Sequence, residues 1–276
     1  MGHHDRRGRH GLLQRLDPRE GRLTNPVLLF AENLRKAGIP HAFTTRQGGI
    51  SPPPYDSLNL GRGVDDDPQN VAHNRSAVLN ALGLGPARDV EATQVHGTTI
   101  EVVIAADAGR VIEGADGMAT SDRHLTLAVH AADCVPVLLA DPRHRAVAAV
   151  HAGWKGTGAG IAVEAVRVLA DRFGTRPRDI LVAIGPSIRA CHYEVDEPVF
   201  THYQSWSWRD AVFTPNQRGR WQLDLQAANR QQLLDAGVPP AQIETIELCT
   251  FDRPNQFFSH RRERKTGRMA GIIAVS

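Results

Sequence analysis

A succession of short apolar runs through the middle of the chain most constrains what it can fold into. Ile100–Ile104, Leu125–Val129, Val135–Leu139 and Ala146–Val150 each hold a few mainly aliphatic residues and then break off. Runs of that length, rich in β-branched residues, read as strands. Further strands are expected at His41–Thr45, Ile180–Ile184, Ile243–Leu248 and Gly271–Val275. Helix signals lie between them. Asp67-Pro68 offers an N-cap followed by proline at the first helical position, and Val71, Val78, Leu79 and Leu82 then share one face. A second helix carries Ile161, Ala165, Val166 and Leu169, and a third, near Leu225–Ala236, is closed by Gly237. Pro52-Pro53-Pro54 belongs to a loop, because successive prolines cannot donate to a helix or a ladder. Strands and helices mix without strict βαβ alternation. The expected fold is one α/β domain, a mixed central sheet layered between helices (α/β/α).

The 276 residues are 41% hydrophobic and 22% charged, which suits an ordinary globular protein with a substantial core. The formal net charge is only +2, and no basic stripe is interleaved with aromatics, so nucleic acid is not an expected partner. No apolar stretch approaches the length of a transmembrane helix, and a membrane is not an expected partner either. Residues 1–23 read as a flexible basic extension without the apolar core of a signal peptide, leaving 24–276 as the domain. Cys134, Cys191 and Cys249 are widely spaced, with no CxxC pair, which argues against a disulfide framework and for a reducing, cytoplasmic home.

The chemistry-bearing candidates begin with His96, Cys134 and His151, set in Gln94-Val95-His96-Gly97, Ala132-Asp133-Cys134-Val135-Pro136 and His151-Ala152-Gly153-Trp154-Lys155-Gly156. Two imidazoles and a thiolate suit zinc, and three protein ligands leave a fourth position for water or substrate. The spacing is not that of a zinc finger or an HExxH helix. Taken singly, a histidine is more often a surface or hydrogen-bonded core residue, and Cys134 by default is a small buried hydrophobe. Context favours the site, because Cys134 and His151 fall at strand-to-loop boundaries. Asp133 is placed either to orient an imidazole or to cap a turn. The glycine-rich stretch Gly153–Gly160 with Lys155 offers an anion site at a helix N-terminus, or simply a tight turn; it lacks the Walker A pattern. Arg46 before Gly48-Gly49 presents a fork for phosphate or carboxylate, or is a solvated surface residue. Asn59 donates to a sugar hydroxyl or holds a turn. Phe257-Phe258-Ser259-His260-Arg261-Arg262 is ambiguous between rim and core.

Taken in order, these segments together with Phe43-Thr44-Thr45-Arg46-Gln47-Gly48-Gly49, Ser57-Leu58-Asn59-Leu60-Gly61, Gly185-Pro186-Ser187-Ile188, Tyr193-Glu194-Val195 and Cys249-Thr250 resemble the laccase-domain family, also called the polyphenol oxidase or peptidoglycan editing factor family. The resemblance covers about residues 40–276. It implies a single α/β/α domain, with zinc held by His96, Cys134 and His151. It further implies phosphorolysis of adenosine, inosine, guanosine and methylthioadenosine with inorganic phosphate, and adenosine deaminase activity. Arg46 would sit near the phosphate. His130, His192 and His260 depart from residues frequent in the family.

The mechanism consistent with both lines has Arg46, helped by Lys155 or the helix N-terminus, holding phosphate for attack on the ribose anomeric carbon. Asn59 would join Arg46 and Lys155 in binding substrate. Zinc would stabilise the departing purine or activate a water for deamination, with Asp133 as proton carrier. One alternative is a cysteine or zinc hydrolase editing peptidoglycan precursors, with Cys134 as nucleophile and His151 or His96 as base. Copper in place of zinc, with phenol oxidation, is disfavoured because multicopper oxidases use His-x-His pairs and the chain has none. A non-catalytic nucleoside- or phosphate-binding module is the remaining alternative.

Overall fold

A computed structural model describes residues 25–85 and 88–276, so the extension expected over residues 1–23 lies outside the described residues. The strands, numbered along the chain, begin with β1 (Leu28–Leu29), β2 (His41–Thr44), β3 (Asp89–Thr93), β4 (Ile100–Val102) and β5 (Val111–Glu113). Next come β6 (Gly117–Thr120), β7 (Thr126–Ala131), β8 (Val135–Asp141), β9 (Ala146–Ala152) and β10 (Leu181–Ile184). The last five are β11 (Glu194–Val195), β12 (Phe213–Pro215), β13 (Trp221–Leu223), β14 (Ile243–Thr245) and β15 (Met269–Ala274). The helices are α1 (Glu32–Lys36), α2 (Pro68–Ala81), α3 (Trp154–Gly158), α4 (Ile161–Phe173), α5 (Glu197–His202), α6 (Arg209–Val212), α7 (Leu225–Asp235) and α8 (His260–Glu263).

The α/β class and the mixed sheet are as expected, but twelve of the strands divide into two six-stranded sheets, and β11, β13 and β12 form a small antiparallel third sheet. Of the two larger sheets, one runs β1-β2-β15-β7-β3-β5 and the other β14-β10-β8-β9-β6-β4; both contain parallel and antiparallel pairs. Composition explains the doubling. Every residue of β8, β9 and β15 is buried, so these strands need cover on both faces. Between the sheets, Phe43, Leu127, Val129 and Ile273 of the first meet Leu138, Ala140, Val147 and Ala149 of the second. On the outer face of the second sheet, Val137, Leu139, Ala148 and Val150 pack against Ile161, Ala165 and Leu169 of α4 and Ala228 and Leu233 of α7. Ala128, Ala270 and Ile272 on the outer face of the first sheet lie under Val78 and Leu79 of α2. The layers are therefore helix, sheet, sheet, helix.

Local signals explain the element ends. The Asp67 carboxylate accepts from the Gln69 N–H at 2.8 Å and caps α2. Gly237, at φ 90°, takes the left-handed conformation just beyond α7. The stretch read as a glycine-rich turn is in fact the short helix α3. Strand β3 escapes a hydrophobicity reading because it carries Asp89 and Glu91. Both carboxylates are buried against Arg75, which pairs with Asp89 and lies 2.7 Å from Glu91. Burial works against the Arg75 charge, yet the two carboxylates raise its pKa further. Among the described residues, no helix is long and apolar enough to cross a membrane.

Because Arg75 neutralises two buried carboxylates, Arg75→Met should destabilise the fold by about 3–5 kcal/mol, the usual cost of leaving buried charge unpaired. Urea unfolding at neutral pH measures it; a variant as stable as the parent chain would refute this account of β3.

Candidate metal centre

Three times the chain passes from the first sheet to the second, and all three crossings meet at one place. The β3–β4 connection carries His96, the β5–β6 connection carries Asp116, and the three-residue β7–β8 connection carries Asp133 and Cys134. His151, one residue from the end of β9, pairs in register with Pro136 of β8 and so faces the same crossings. His96 (φ 63°) and Asp133 (φ 98°) both take the left-handed region that non-glycine residues avoid. The tight crossings impose that conformation.

Asp116 binds the crossings together. Its carboxylate accepts from the backbone N–H groups of Val95 (3.2 Å), His96 (2.8 Å) and Gly97 (2.7 Å), and from His151 Nδ1 at 2.9 Å. The Asp116 carbonyl also accepts from the His151 N–H at 2.7 Å. With Nδ1 so held, His151 has Nε2 free for a metal. Burial favours the protonated carboxyl, but the His151 hydrogen bond and the loop amides outweigh it and lower the Asp116 pKa.

One donor atom from each of His96, Cys134 and His151 lies within 4.8 Å of the others. Cys134 Sγ is 3.8 Å from His96 Nε2, and the two imidazoles cross at 82° with centroids 4.8 Å apart. Zinc bonds of about 2.0–2.3 Å give tetrahedral edges of roughly 3.3–3.8 Å, so the Cys134–His96 edge already fits. Gly153 makes room for this approach. A Cβ there would come within 2.7 Å of the His96 ring and 3.1 Å of Cys134 Sγ. His96 is exposed, Cys134 half-buried and His151 buried, so the trio opens to solvent on the His96 side. Burial pushes the Cys134 thiol up, but His151 and a hydrogen bond with His96 pull it down to about 6. Burial equally disfavours charge on His151, yet Cys134 and Asp116 raise it to about 9.

The remaining expected site residues are placed differently. Asp133 contacts no imidazole: its oxygens accept from Thr250 Oγ1 at 2.6 Å and from the Arg261 N–H at 2.7 Å. The carboxylate that orients an imidazole is Asp116, which the sequence reading missed; Ala115-Asp116-Gly117 carries no signal beyond one acid among small residues. The Arg46 fork is engaged within the fold, by the Asp56 carbonyl (2.8 Å), the Pro254 carbonyl (2.9 Å) and Glu263 (2.9 Å). Asn59 is fully buried; its amide donates to Asp66 at 2.8 Å and accepts from the N–H groups of Gly61 (3.0 Å) and Arg268 (2.8 Å). A side chain so enclosed holds its loop and cannot reach a sugar. Lys155 is exposed, with its ammonium 5.5 Å from the Trp154 ring. The N-terminus of α4 does not face open space, since Gly160 lies against Trp206.

A cleft of about 340 Å³ begins at Trp154, three residues from His151, and is lined by Tyr193, Glu194, Asp196, Arg220, Arg261 and Arg264 among others. Burial and the nearby Cys134 charge push the Tyr193 phenol up, so it stays a neutral ring. A larger cavity of about 440 Å³ runs along α2 and includes none of the trio.

Residues 40–276 match the family described as multi-copper polyphenol oxidoreductase laccase. A relative named purine nucleoside phosphorylase YlmD, from Geobacillus stearothermophilus, is 40% identical over 252 residues, spanning 86% of this chain and 90% of the relative. A Corynebacterium glutamicum protein, also named purine nucleoside phosphorylase, is 38% identical over 87% of this chain and 95% of its own length. Among solved structures, hypothetical protein YfiH of Bacillus licheniformis superposes with a TM-score of 0.86 at 39% identity, covering 91% of this chain and 97% of that one.

Two outcomes are expected of this geometry. Asp116→Asn removes the negative charge and turns one of the two oxygens, each of which serves two of the four donors (the three loop amides and His151), into an NH2 group, and should weaken zinc binding about 10–100-fold in competition with a chromophoric chelator. In metal-free protein, the depressed Cys134 pKa means that thiolate forms as pH rises through about 6. Alkylation of the Cys134 peptide, followed by mass spectrometry, should therefore rise well below the ordinary thiol range near 8.5, and His151→Ala should move it back up. Labelling that rises only in the ordinary range would refute the pairing.

Proposed function

We propose that this chain, which belongs to the multi-copper polyphenol oxidoreductase laccase family, is a zinc-dependent purine nucleoside phosphorylase that also deaminates adenosine. The observation that carries the reading is the open His96–Cys134–His151 trio beside a cleft combining aromatic faces with arginines. The relatives named purine nucleoside phosphorylase support the substrate class. Adenosine, inosine, guanosine and methylthioadenosine are the substrates expected of such an enzyme.

His96, Cys134 and His151 are the residues to hold the metal, and two imidazoles with one thiolate suit zinc better than copper given the absence of His-x-His pairs. Bound there, zinc supplies Lewis acidity for the purine leaving group in phosphorolysis and for water in deamination. Trp154 and Tyr193 offer flat faces for the purine. Arg220, Arg261 and Arg264 of the cleft, with the exposed Lys155 beside Trp154, supply the positive charge that attracts inorganic phosphate and steers it to the anomeric carbon. This takes over the part expected of Arg46, whose fork is committed to Asp56 and Glu263. Asp133 holds the backbone N–H of Arg261, which lines the cleft. All three cysteines are free thiols, and thiolate ligation suits a cytoplasmic setting.

One observation favours a second reading. Cys134 drawn down to about 6 beside His151 raised to about 9 is the pairing of a cysteine nucleophile with its base. In that case the chain hydrolyses an acyl bond, as in editing of a peptidoglycan precursor.

Metal-quantified protein incubated with adenosine, with and without phosphate, separates these readings. Ribose 1-phosphate with adenine establishes phosphorolysis, and inosine with ammonia establishes deamination. Absence of both sets of products would overturn the proposal, and metal-free protein with full hydrolytic activity would establish the cysteine enzyme.

A further inference from the structure

Outside the trio, a second group of metal-binding side chains remains without a role. Cys191, His192, Cys249 and Asp252 bring four donor atoms within 4.8 Å of one another. They come from two segments already joined. Ser187 and Cys249 form a parallel bridge, with the Ser187 N–H donating to the Leu248 carbonyl (3.3 Å) and the Thr250 N–H to the Ser187 carbonyl (3.0 Å). The His192 ring stacks on Phe251 at 4.4 Å and 16°, which fixes its plane. Its Nδ1 then lies 3.2 Å from Asp252 Oδ1 and 4.0 Å from Cys249 Sγ. Cys191 Sγ is 3.5 Å from Asp252 Oδ2.

We infer that Cys191, His192, Cys249 and Asp252 form a second, structural metal site whose ion is Zn2+. Two sulfurs, one imidazole nitrogen and one carboxylate oxygen complete a tetrahedral shell, so no position is left for substrate. The Asp252 contacts of 3.2 and 3.5 Å are close to the roughly 3.3–3.8 Å edges that zinc bonds of about 2.0–2.3 Å produce, and the 4.0 Å between His192 and Cys249 has to close only slightly on binding. Binding releases one proton from each thiol to solvent and leaves a zinc centre with one net negative charge. No electron transfer is involved.

The site would act on the first one through a short path. Thr250 adjoins Cys249, and its hydroxyl donates to Asp133, the neighbour of Cys134. Arg262 Nη1 donates to the carbonyls of Thr250 and Phe251, both at 2.7 Å. Clamping 249–252 to 191–192 thus fixes the acceptor and donor that shape the Cys134 crossing. These four are positioning residues, and the inference does not depend on which substrate the enzyme takes.

The test is a metal count. Full-length protein, loaded with zinc under non-thiol reductant and desalted, is assayed by plasma mass spectrometry. Intact chain should carry about two zinc equivalents, and Cys134→Ala and the Cys191→Ser/Cys249→Ser double variant about one each. Cobalt-loaded Cys134→Ala should still show thiolate-to-cobalt charge-transfer absorption and tetrahedral ligand-field bands, which only a second thiolate site can supply. Asp252→Asn should weaken retention of that ion, and Asp252→His should restore it, with the fold verified by circular dichroism. Cys134→Ala that holds no cobalt, or a double variant that keeps the full zinc count, would overturn the inference.

Discussion

One buried carboxylate holds the functional end of this molecule together. Asp116 is inaccessible to solvent, and an ionised carboxylate in that position is tolerable only with its oxygens satisfied. Three consecutive backbone amides of the His96 loop and the His151 imidazole satisfy them. Their requirement runs both ways. The His96 loop is irregular, with its central residue in the left-handed region, and those amides have no ladder to join. The imidazole, without an acceptor at Nδ1, would have no preferred ring orientation. The same contacts therefore neutralise the acid, shape the loop and aim a ligand.

The double sheet makes that meeting possible. Strands β8, β9 and β15 are apolar on both faces, so a single layer of helices could not cover both sides of either sheet. Sandwiching one sheet on the other covers the inner faces, with helices left for the outer ones. A chain that builds two sheets must cross between them. Three crossings at the same end bring His96, Asp116 and Cys134 together although they are scattered in the sequence. The irregular backbone of such crossings is where polar side chains can face a cleft while rigid strands hold them.

Charge is distributed on the same logic. Cations that a sequence reader would assign to ligand binding are in part spent internally: Arg46 on carbonyls and Glu263, and Arg75 on the acids of β3. The cations around the cleft at Trp154 are Arg220, Arg261 and Arg264, of which Arg261 also donates to the Glu194 carbonyl and Arg220 pairs with the Glu194 carboxylate. Phe257 and Phe258, shortly before Arg261 in sequence, are buried and anchor that segment to the core. The ambiguous tail is thus core at its aromatic end and cleft wall at its arginine end.

Local residue chemistry carried much of this in readable form. Apolar runs marked the central strands, Asp67-Pro68 marked the start of α2, and Gly237 marked the end of α7. The nitrogen and sulfur donors were legible because few other side chains have that chemistry, and the motif series marked the family. Short strands with acids in them were not legible, because β3 depends on Arg75 from a distant helix to neutralise Asp89 and Glu91. Asp116 carried no signal, and Arg46 and Asn59 stood open between ligand binding and a structural part, for one shared reason. A polar side chain's role is set by which partners enclose it, and those partners lie far away along the chain. Sequence by itself determined which atoms can ligate a metal and which runs must be buried. Only the tertiary structure decided which donors share a point in space and which are already satisfied, because hydrogen bonding and Coulombic attraction act over a few ångströms of space, regardless of separation along the chain.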